Sequence, residues 1–284
     1  MTRSAGLPPA RAGADVCFVH LSDPHFLEDA SRPQHGVRAA EIFERAIPLV
    51  NALGADFIVA GGDLTSDEKE ASYRQARAAF ARLNAPVHVL MGNHDDRHVY
   101  RSVFQPEETP SRDPVCGAFD RGSCRFVLLD SHVAGAVHGQ MDDYQLAWLD
   151  ANLAAHAGRP TFVFVHHPPL PIGLRWLDDL GFLNGGDLVD VLARHAQVRA
   201  VFFGHIHQPW IRRHRGIVFA GVPALAFQFS AAEQEATGRH ITRDTPGFRV
   251  ARAQGDGGFE TAIHYLDGRI VPDPPTPELP EYGP

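Results

Sequence analysis

The apolar positions of this chain fall into short runs of two kinds. Val16 to Leu21, Asp56 to Ala60, Val87 to Met91, Thr161 to Val165 and Val198 to Phe203 are compact runs rich in Val, Ile and Phe. That is the pattern of strands buried on both faces. Between the first three, the spacing turns helical. Val37, Ile42, Phe43, Ile47, Val50 and Leu53 predict a helix over 37–53 with Gly54 as its stop, and 67–83 predicts a second with Asp67 and Glu68 in its first turn. A β-α-β-α-β rhythm predicts an α/β fold with parallel strands. Residues 97–114 read as a loop or short helix. Gly117 to Asp120 and Arg125 to Asp130 read as strands around the Arg121-Gly122-Ser123 turn. Residues 141–156, with Leu146, Trp148, Leu149 and Leu153, and 186–195 read as helices. After that the rhythm changes: 209–220, 222–229, 247–253 and 258–266 read as short strands without helices between them, an antiparallel half added to the sheet system. Residues 1–14 read as a disordered N-terminus, 15–271 as one domain and 272–284 as a Pro-rich extended tail.

Each of the five apolar runs ends in a polar turn. The first leads into Asp23 and His25, the second into Gly61-Gly62-Asp63, and the third into Gly92-Asn93-His94-Asp95. The fourth leads into His166-His167-Pro168-Pro169 and the fifth into Gly204-His205-Ile206-His207. In open α/β sheets ligands bind beyond the carboxyl ends of the strands. At the third turn Gly92 lets the chain bend sharply and approach a ligand. Asn93 offers a neutral oxygen, His94 a proton near neutral pH and Asp95 an orienting carboxylate. Asp23, His25, Asp63, Asn93, His166, His205 and His207 supply nitrogen and oxygen donors and no thiolate. Such a set suits Zn, Mn, Fe, Co or Ni, and not a Cys-type structural zinc or a calcium cage. Seven ligands are too many for one tetrahedral ion. They match two ions, roughly 3.5–4 Å apart, sharing a carboxylate and a hydroxide.

Composition narrows the chemistry. The chain has 17 histidines and a net charge of −8. The charge disfavours non-specific binding to nucleic acid or anionic membranes, and no basic tract offers a groove for a polyanion. It does not exclude a phosphate substrate, because bound cations reverse the sign locally. Cys17, Cys116 and Cys124 form no paired spacing, which points to a reducing compartment; Cys116 and Cys124 flank a hairpin but are not expected to bridge. There is no apolar leader and no run long enough to span a membrane, so a cytoplasmic location is expected. The strands near 210–230 offer an edge for a homo-oligomer. His20, His88 and His264 read as structural histidines with satisfied nitrogens, and His167 as a neighbour of the ligands. His132, His138, Asn184 and Phe229 are candidates for lining a pocket. Arg212, Arg213 and Arg215 read as a solvated strand edge.

The segments "LSDPHF", "GGDLTSD", "LMGNHDD", "VHHPP" and "GHIHQP" resemble the calcineurin-like metallophosphoesterases. The branch they resemble is that of the bacterial cyclic-nucleotide phosphodiesterases and glycerophosphodiesterases. Leu128 to Ser131 and Gln145 to Leu149 resemble it too, so the likeness spans about 16–266. Pro24 stands where Thr is frequent and Val165 where many members carry Gly; neither is a ligand. The resemblance implies a four-layer α-β-β-α sandwich with two facing mixed sheets. It implies two divalent or mixed-valence ions of Mn, Fe, Zn or Co. Asp23, His25 and His207 would hold the first, Asn93, His166 and His205 the second, and Asp63 would bridge. Asn93, His94 and His207 would contact a small phosphodiester, 3′,5′-cyclic nucleotide or glycerophosphodiester. A metal-bound hydroxide would attack it and His94 would protonate the leaving alkoxide, oriented by Asp95 or Asp96. The alternatives are a broad-specificity phosphomonoesterase on the same centre and a non-catalytic metal-binding scaffold.

Overall fold

The five apolar runs become the parallel strands that carry the candidate ligands. The structure, a computed structural model, describes residues 16–107, 113–230 and 241–274. Strands β1 (Val16–Leu21), β2 (Phe57–Ala60) and β3 (Val87–Val89) alternate with helices α1 (Ala39–Asn51) and α2 (Glu70–Phe80), and α3 (Arg97–Phe104) follows. The hairpin β4 (Gly117–Arg121) and β5 (Cys124–Leu128) leads to α4 (Asp143–Ala155), β6 (Thr161–Phe164), α5 (Arg175–Asp178), α6 (Gly185–Ala193) and β7 (Val198–Phe203). The remaining strands are β8 (Trp210–His214), β9 (Ile217–Gly221), β10 (Gln228–Phe229), β11 (Ile241–Thr242), β12 (Gly247–Ala253), β13 (Phe259–Tyr265) and β14 (Ile270–Pro272).

Two six-stranded sheets result, ordered β14-β13-β12-β1-β2-β3 and β4-β5-β6-β7-β9-β8. Both are mixed: β1, β2 and β3 are parallel while β12 joins β1 antiparallel, and β5, β6, β7 and β9 are parallel with antiparallel edges. Between the sheets lies a core built on aromatic rings. Phe18 stacks on Phe57 at 5.3 Å and meets Phe126, Phe164 and Phe202 edge-on. A second core packs the first sheet on Phe43, Ile47, Tyr73 and Phe80 of α1 and α2, and a third packs the other sheet on Leu149, Leu153, Leu188 and Leu192 of α4 and α6. The order of layers is therefore α-β-β-α, as expected.

The departures have local causes. Strand β9 lies parallel to β7 with β8 antiparallel outside it, so the expected antiparallel half is divided: the β8–β9 hairpin extends the second sheet and β12, β13 and β14 extend the first. Of the strand expected over 222–229, only Gln228–Phe229 pairs. Pro223 interrupts that stretch, and its backbone turns inward: Leu225 N–H donates to Ser22 O, and Phe227 O accepts from His207 Nδ1. Residues 1–14 and 275–284 lie outside the described residues. Strand β14 includes Pro272, and Asp273 pairs with the buried Arg249, so the packed chain continues past residue 271. The three cysteines are free thiols. Among the described residues no helix is long and apolar enough to cross a membrane.

Candidate metal centre

All seven candidate ligands follow the carboxyl ends of β1, β2, β3, β6 and β7, where the two sheets meet at one end of the sandwich. Backbone conformation sets them apart. Asp23, His25, Asp63, His205 and His207 all have positive φ, between 49° and 64°. Non-glycine residues rarely hold such values, which cost of order 1–3 kcal/mol each and persist where the surroundings enforce them. The surroundings here are interlocked turns. Asp23 N–H donates to Gly62 O, His25 N–H to Asp63 O, and His205 N–H to the Asp23 carboxylate at 3.2 Å. Gly92 is required because a Cβ there would lie 2.2 Å from Asp63 Oδ1 and 2.4 Å from Asp63 N.

Side chains of Asp23, His25, Asp63 and His207 converge in one buried cluster, and those of His166, His167 and His205 in a second. Asp63 faces both: its Oδ2 lies 3.7 Å from His25 Nε2 and its Oδ1 lies 3.5 Å from His166 Nε2. Asn93 joins the second cluster, its Oδ1 2.9 Å from His205 Nδ1. An imidazole nitrogen and an amide oxygen at that distance can share a proton or a cation.

Hydrogen bonds on the far side of three imidazoles fix which nitrogen points inward. His207 Nδ1–H donates to Phe227 O at 2.8 Å, and His166 Nδ1–H to Gly61 O at 2.8 Å. His25 Nδ1 meets Ser66 Oγ at 3.0 Å, whose own hydroxyl is spent on Gln34 Oε1 at 2.6 Å. In neutral rings the Nε2 lone pairs then face the cluster. His25 Nε2 and His207 Nε2 lie 3.2 Å apart, with Asp23 Oδ1 3.3 Å from the latter. The buried Nε2 atoms of His166 and His205 have no hydrogen-bond partner among the described residues. Lone pairs and carboxylates facing one another without donors require protons or cations, and this donor set fits transition-metal ions.

The electrostatics agree. Burial drives His25 and His205 down to about 3, so both are neutral and ready to ligate. Burial also disfavours the charge of Asp23, but His207 outweighs it and holds the carboxyl at about 2. At His166 burial is overridden by Asp63, and its value rises to about 9. Of the two imidazoles facing Asp63, His166 therefore keeps the proton in the metal-free protein, and an ion would replace it.

Several expectations change. Asp95 does not serve His94. Its carboxylate accepts from the backbone N–H of Leu64 and Gly92 and from Tyr73 Oη, tying the second and third turns together. Asp96 caps α3 by accepting from Val99 N. His167 spends both ring nitrogens, on Ser131 Oγ at 2.8 Å and Val137 O at 3.0 Å, so it buttresses the ligands beside it. Among the described residues neither ring nitrogen of the buried His20 has a partner, nor does His264 Nε2, so these are not satisfied histidines. Phe229 lines the cavity in front of the site together with His94, while Asn184 instead ties its amide to the Met141 backbone. Ser66, Gln34, Trp176 and Phe227 also surround the centre; of these only Ser66, within "GGDLTSD", lies in a stretch that the sequence singles out.

Comparison with known proteins agrees with this geometry. The sequence model of the family described as calcineurin-like phosphoesterase matches residues 18–209. The 3′,5′-cyclic adenosine monophosphate phosphodiesterase CpdA of Pseudomonas aeruginosa is 34% identical over 270 residues, which cover 94% of this chain and 95% of that protein. The glycerophosphodiester phosphodiesterase GpdQ of Enterobacter lignolyticus is 29% identical, covering 75% of this chain and 78% of that one. A crystal structure of a dimetal phosphatase from Danio rerio shares the fold with a TM-score of 0.63 at 15% identity, covering 90% of this chain and 98% of the other. With a family match over more than half its length, set on clustered carboxylates and imidazoles at the strand ends, the chain belongs to the calcineurin-like phosphoesterases.

Proposed function

We propose that this chain hydrolyses small phosphodiesters, 3′,5′-cyclic nucleotides or glycerophosphodiesters, with two metal ions. The observation that carries the reading is Asp63, whose two oxygens face separate clusters of ligands, as a bridging carboxylate requires. Asp23, His25 and His207 would hold the first ion, and Asn93, His166 and His205 the second. Ions of Mn, Fe, Zn or Co bound there would supply hydroxide at neutral pH and neutralise charge on the phosphate. The chain does the rest. Asn93, His94 and His207 line the cavity and position the phosphate. His94 is only half-buried, and its backbone is pinned at both ends: N–H donates to Asp63 Oδ1 at 2.8 Å and C=O accepts from Thr65 Oγ1 at 3.0 Å. Its ring packs edge-on against His25 at 5.3 Å, which supports His94 as the proton donor. The names of the relatives, a cyclic AMP phosphodiesterase and a glycerophosphodiester phosphodiesterase, support diesters as the substrate class.

The test is a parallel assay of metal-loaded protein on bis(p-nitrophenyl) phosphate, p-nitrophenyl phosphate and cyclic AMP. Faster turnover of the diesters is expected. Faster turnover of the monoester would replace this reading with a phosphomonoesterase, and no turnover with any of the four metals would leave a scaffold.

A further inference from the structure

The residues that line the cavity before the metal centre are of two unlike kinds. Gln34 is a polar one, and its side chain is oriented from the centre itself. Ser66 Oγ lies 2.6 Å from Gln34 Oε1, an O–H···O length and too short for an ordinary N–H···O bond. The hydroxyl therefore donates to the amide oxygen and accepts from His25 Nδ1–H. This chain fixes His25 with its Nε2 lone pair inward. It also fixes the Gln34 amide, whose oxygen is taken and whose Nε2 has no acceptor among the described residues. Those N–H groups belong to a residue that lines the cavity.

The other kind is apolar. Trp176 and Leu180 come from α5 and the turn after it, and Phe229 and Ile241 from β10 and β11. The Trp176 and Phe229 rings meet at 5.1 Å, nearly perpendicular, and Phe229 stacks on His207 at 4.4 Å. Neither a phosphate nor a polyol gains from such a lining. A flat heteroaromatic ring does, because it buries apolar faces and presents nitrogen or carbonyl acceptors at its edge.

We propose that Gln34, held through Ser66 to His25, is the polar reader of a nucleobase seated against Trp176 and Phe229. The inference rests on the phosphodiester reading and selects nucleotide over glycerol diesters within it. Full-length manganese-loaded protein is titrated calorimetrically with adenosine 5′-monophosphate and with ribose 5-phosphate, which differ by the base alone. The wild type is expected to prefer the nucleotide by about tenfold or more. Gln34→Ala and Gln34→Glu are each expected to reduce that preference to below about threefold, with manganese stoichiometry as in the wild type. Gln34→Glu is the sharper variant, because its carboxylate still accepts from Ser66 but donates nothing. Equal wild-type affinities would overturn the proposal, as would a preference that survives both substitutions. Loss of manganese from both variants would also overturn it, since Gln34 would then serve His25 alone. The phosphodiester reading fails by different results, faster turnover of the monoester or absence of wild-type turnover, and the affinity ratio is read without turnover.

Discussion

His94 differs from its neighbours in what holds it. Three of the candidate ligand imidazoles, His25, His166 and His207, are buried and bonded on their outer nitrogens, whereas the His94 ring lines the cavity and its backbone is what the hydrogen bonds fix. In the proposed function a group placed that way would move protons without carrying the metals. His94→Ala is expected to lower turnover of alkyl diesters about 10²–10⁴-fold. The loss on bis(p-nitrophenyl) phosphate should be far smaller, because a nitrophenolate leaves without a proton. Steady-state kinetics on both substrates, with elemental analysis of the purified variant, checks this; equal losses on both would remove the proton-donor role. The residue types and order of the ligands were legible from the sequence, since each ends an apolar run. Their left-handed backbone was not. Asp and His tolerate positive φ better than most residues but adopt it only in a minority of turns, and here the interlocked hydrogen bonds of three separate turns impose it. The role first given to Asp95 failed for a related reason: adjacency to His94 in sequence says nothing of where a carboxylate finds donors, and it found them on Leu64, Gly92 and Tyr73.

Among the elements, α3 matters more than its length suggests. It begins four residues after Asn93, and its first residue, Arg97, reaches across to the second sheet. The guanidinium grips Asp130 with two bonds, at 2.7 and 2.9 Å, and donates to His132 O at 2.7 Å. Asp130, fully buried just past β5, also accepts from the backbone N–H of His132 and Val115. The third turn of the site is thereby clamped to the sheet that supplies His166 and His205. Removing a single partner from such a buried pair costs about 3–5 kcal/mol, because the other charge and its donors are stranded. Asp130→Ala is expected to lose that much in urea unfolding of the metal-free protein, and to bind the second ion more weakly in a manganese titration. A loss under 1 kcal/mol would show that the clamp holds nothing, since surface pairs commonly fall in that range. The sequence showed the strand before Asp130 clearly and gave only "loop or short helix" for 97–114. Strands buried on both faces announce themselves as apolar runs; a short helix set by an Asp96 cap and a cross-sheet ion pair does not. The 222–229 stretch misled in the opposite sense, being apolar because it lines and buttresses the centre while its backbone bonds the site instead of a ladder.

For the whole molecule, the four-layer order follows from a chain whose strands are apolar on both faces and whose helices are apolar on one, and to that extent it was legible. What periodicity cannot reveal is a polar residue placed between the sheets. His20 sits there on β1, level with Arg249 of β12, packed edge-on against Phe164 and Phe202, with no partner for either nitrogen. Ser22 and Gly61 close the side toward the centre: a Cβ on Gly61 would meet both His20 Nε2 and Ser22 Oγ. Burial, reinforced by the Arg249 charge, pushes His20 from 6.5 down to about 3. The sign follows directly. An unfolded chain takes up this proton near pH 6.5 and the folded one only near 3, so the unfolded state binds more protons between those values. Stability from this residue is complete above pH 6.5 and is lost as the pH falls toward 3. At pH 4.5 the difference amounts to about 3 kcal/mol at 1.36 kcal/mol per pH unit. Other buried groups titrate in the same window, and Asp95, raised by its burial and by Asp63 to about 7, acts in the opposite direction. Comparison with His20→Leu cancels those shared terms. Between pH 7 and pH 4.5, metal-free wild type is expected to lose about 3 kcal/mol more than the variant in urea unfolding. Parallel losses in the two proteins would mean that His20 is protonated inside the fold, with Arg249 moved away from it.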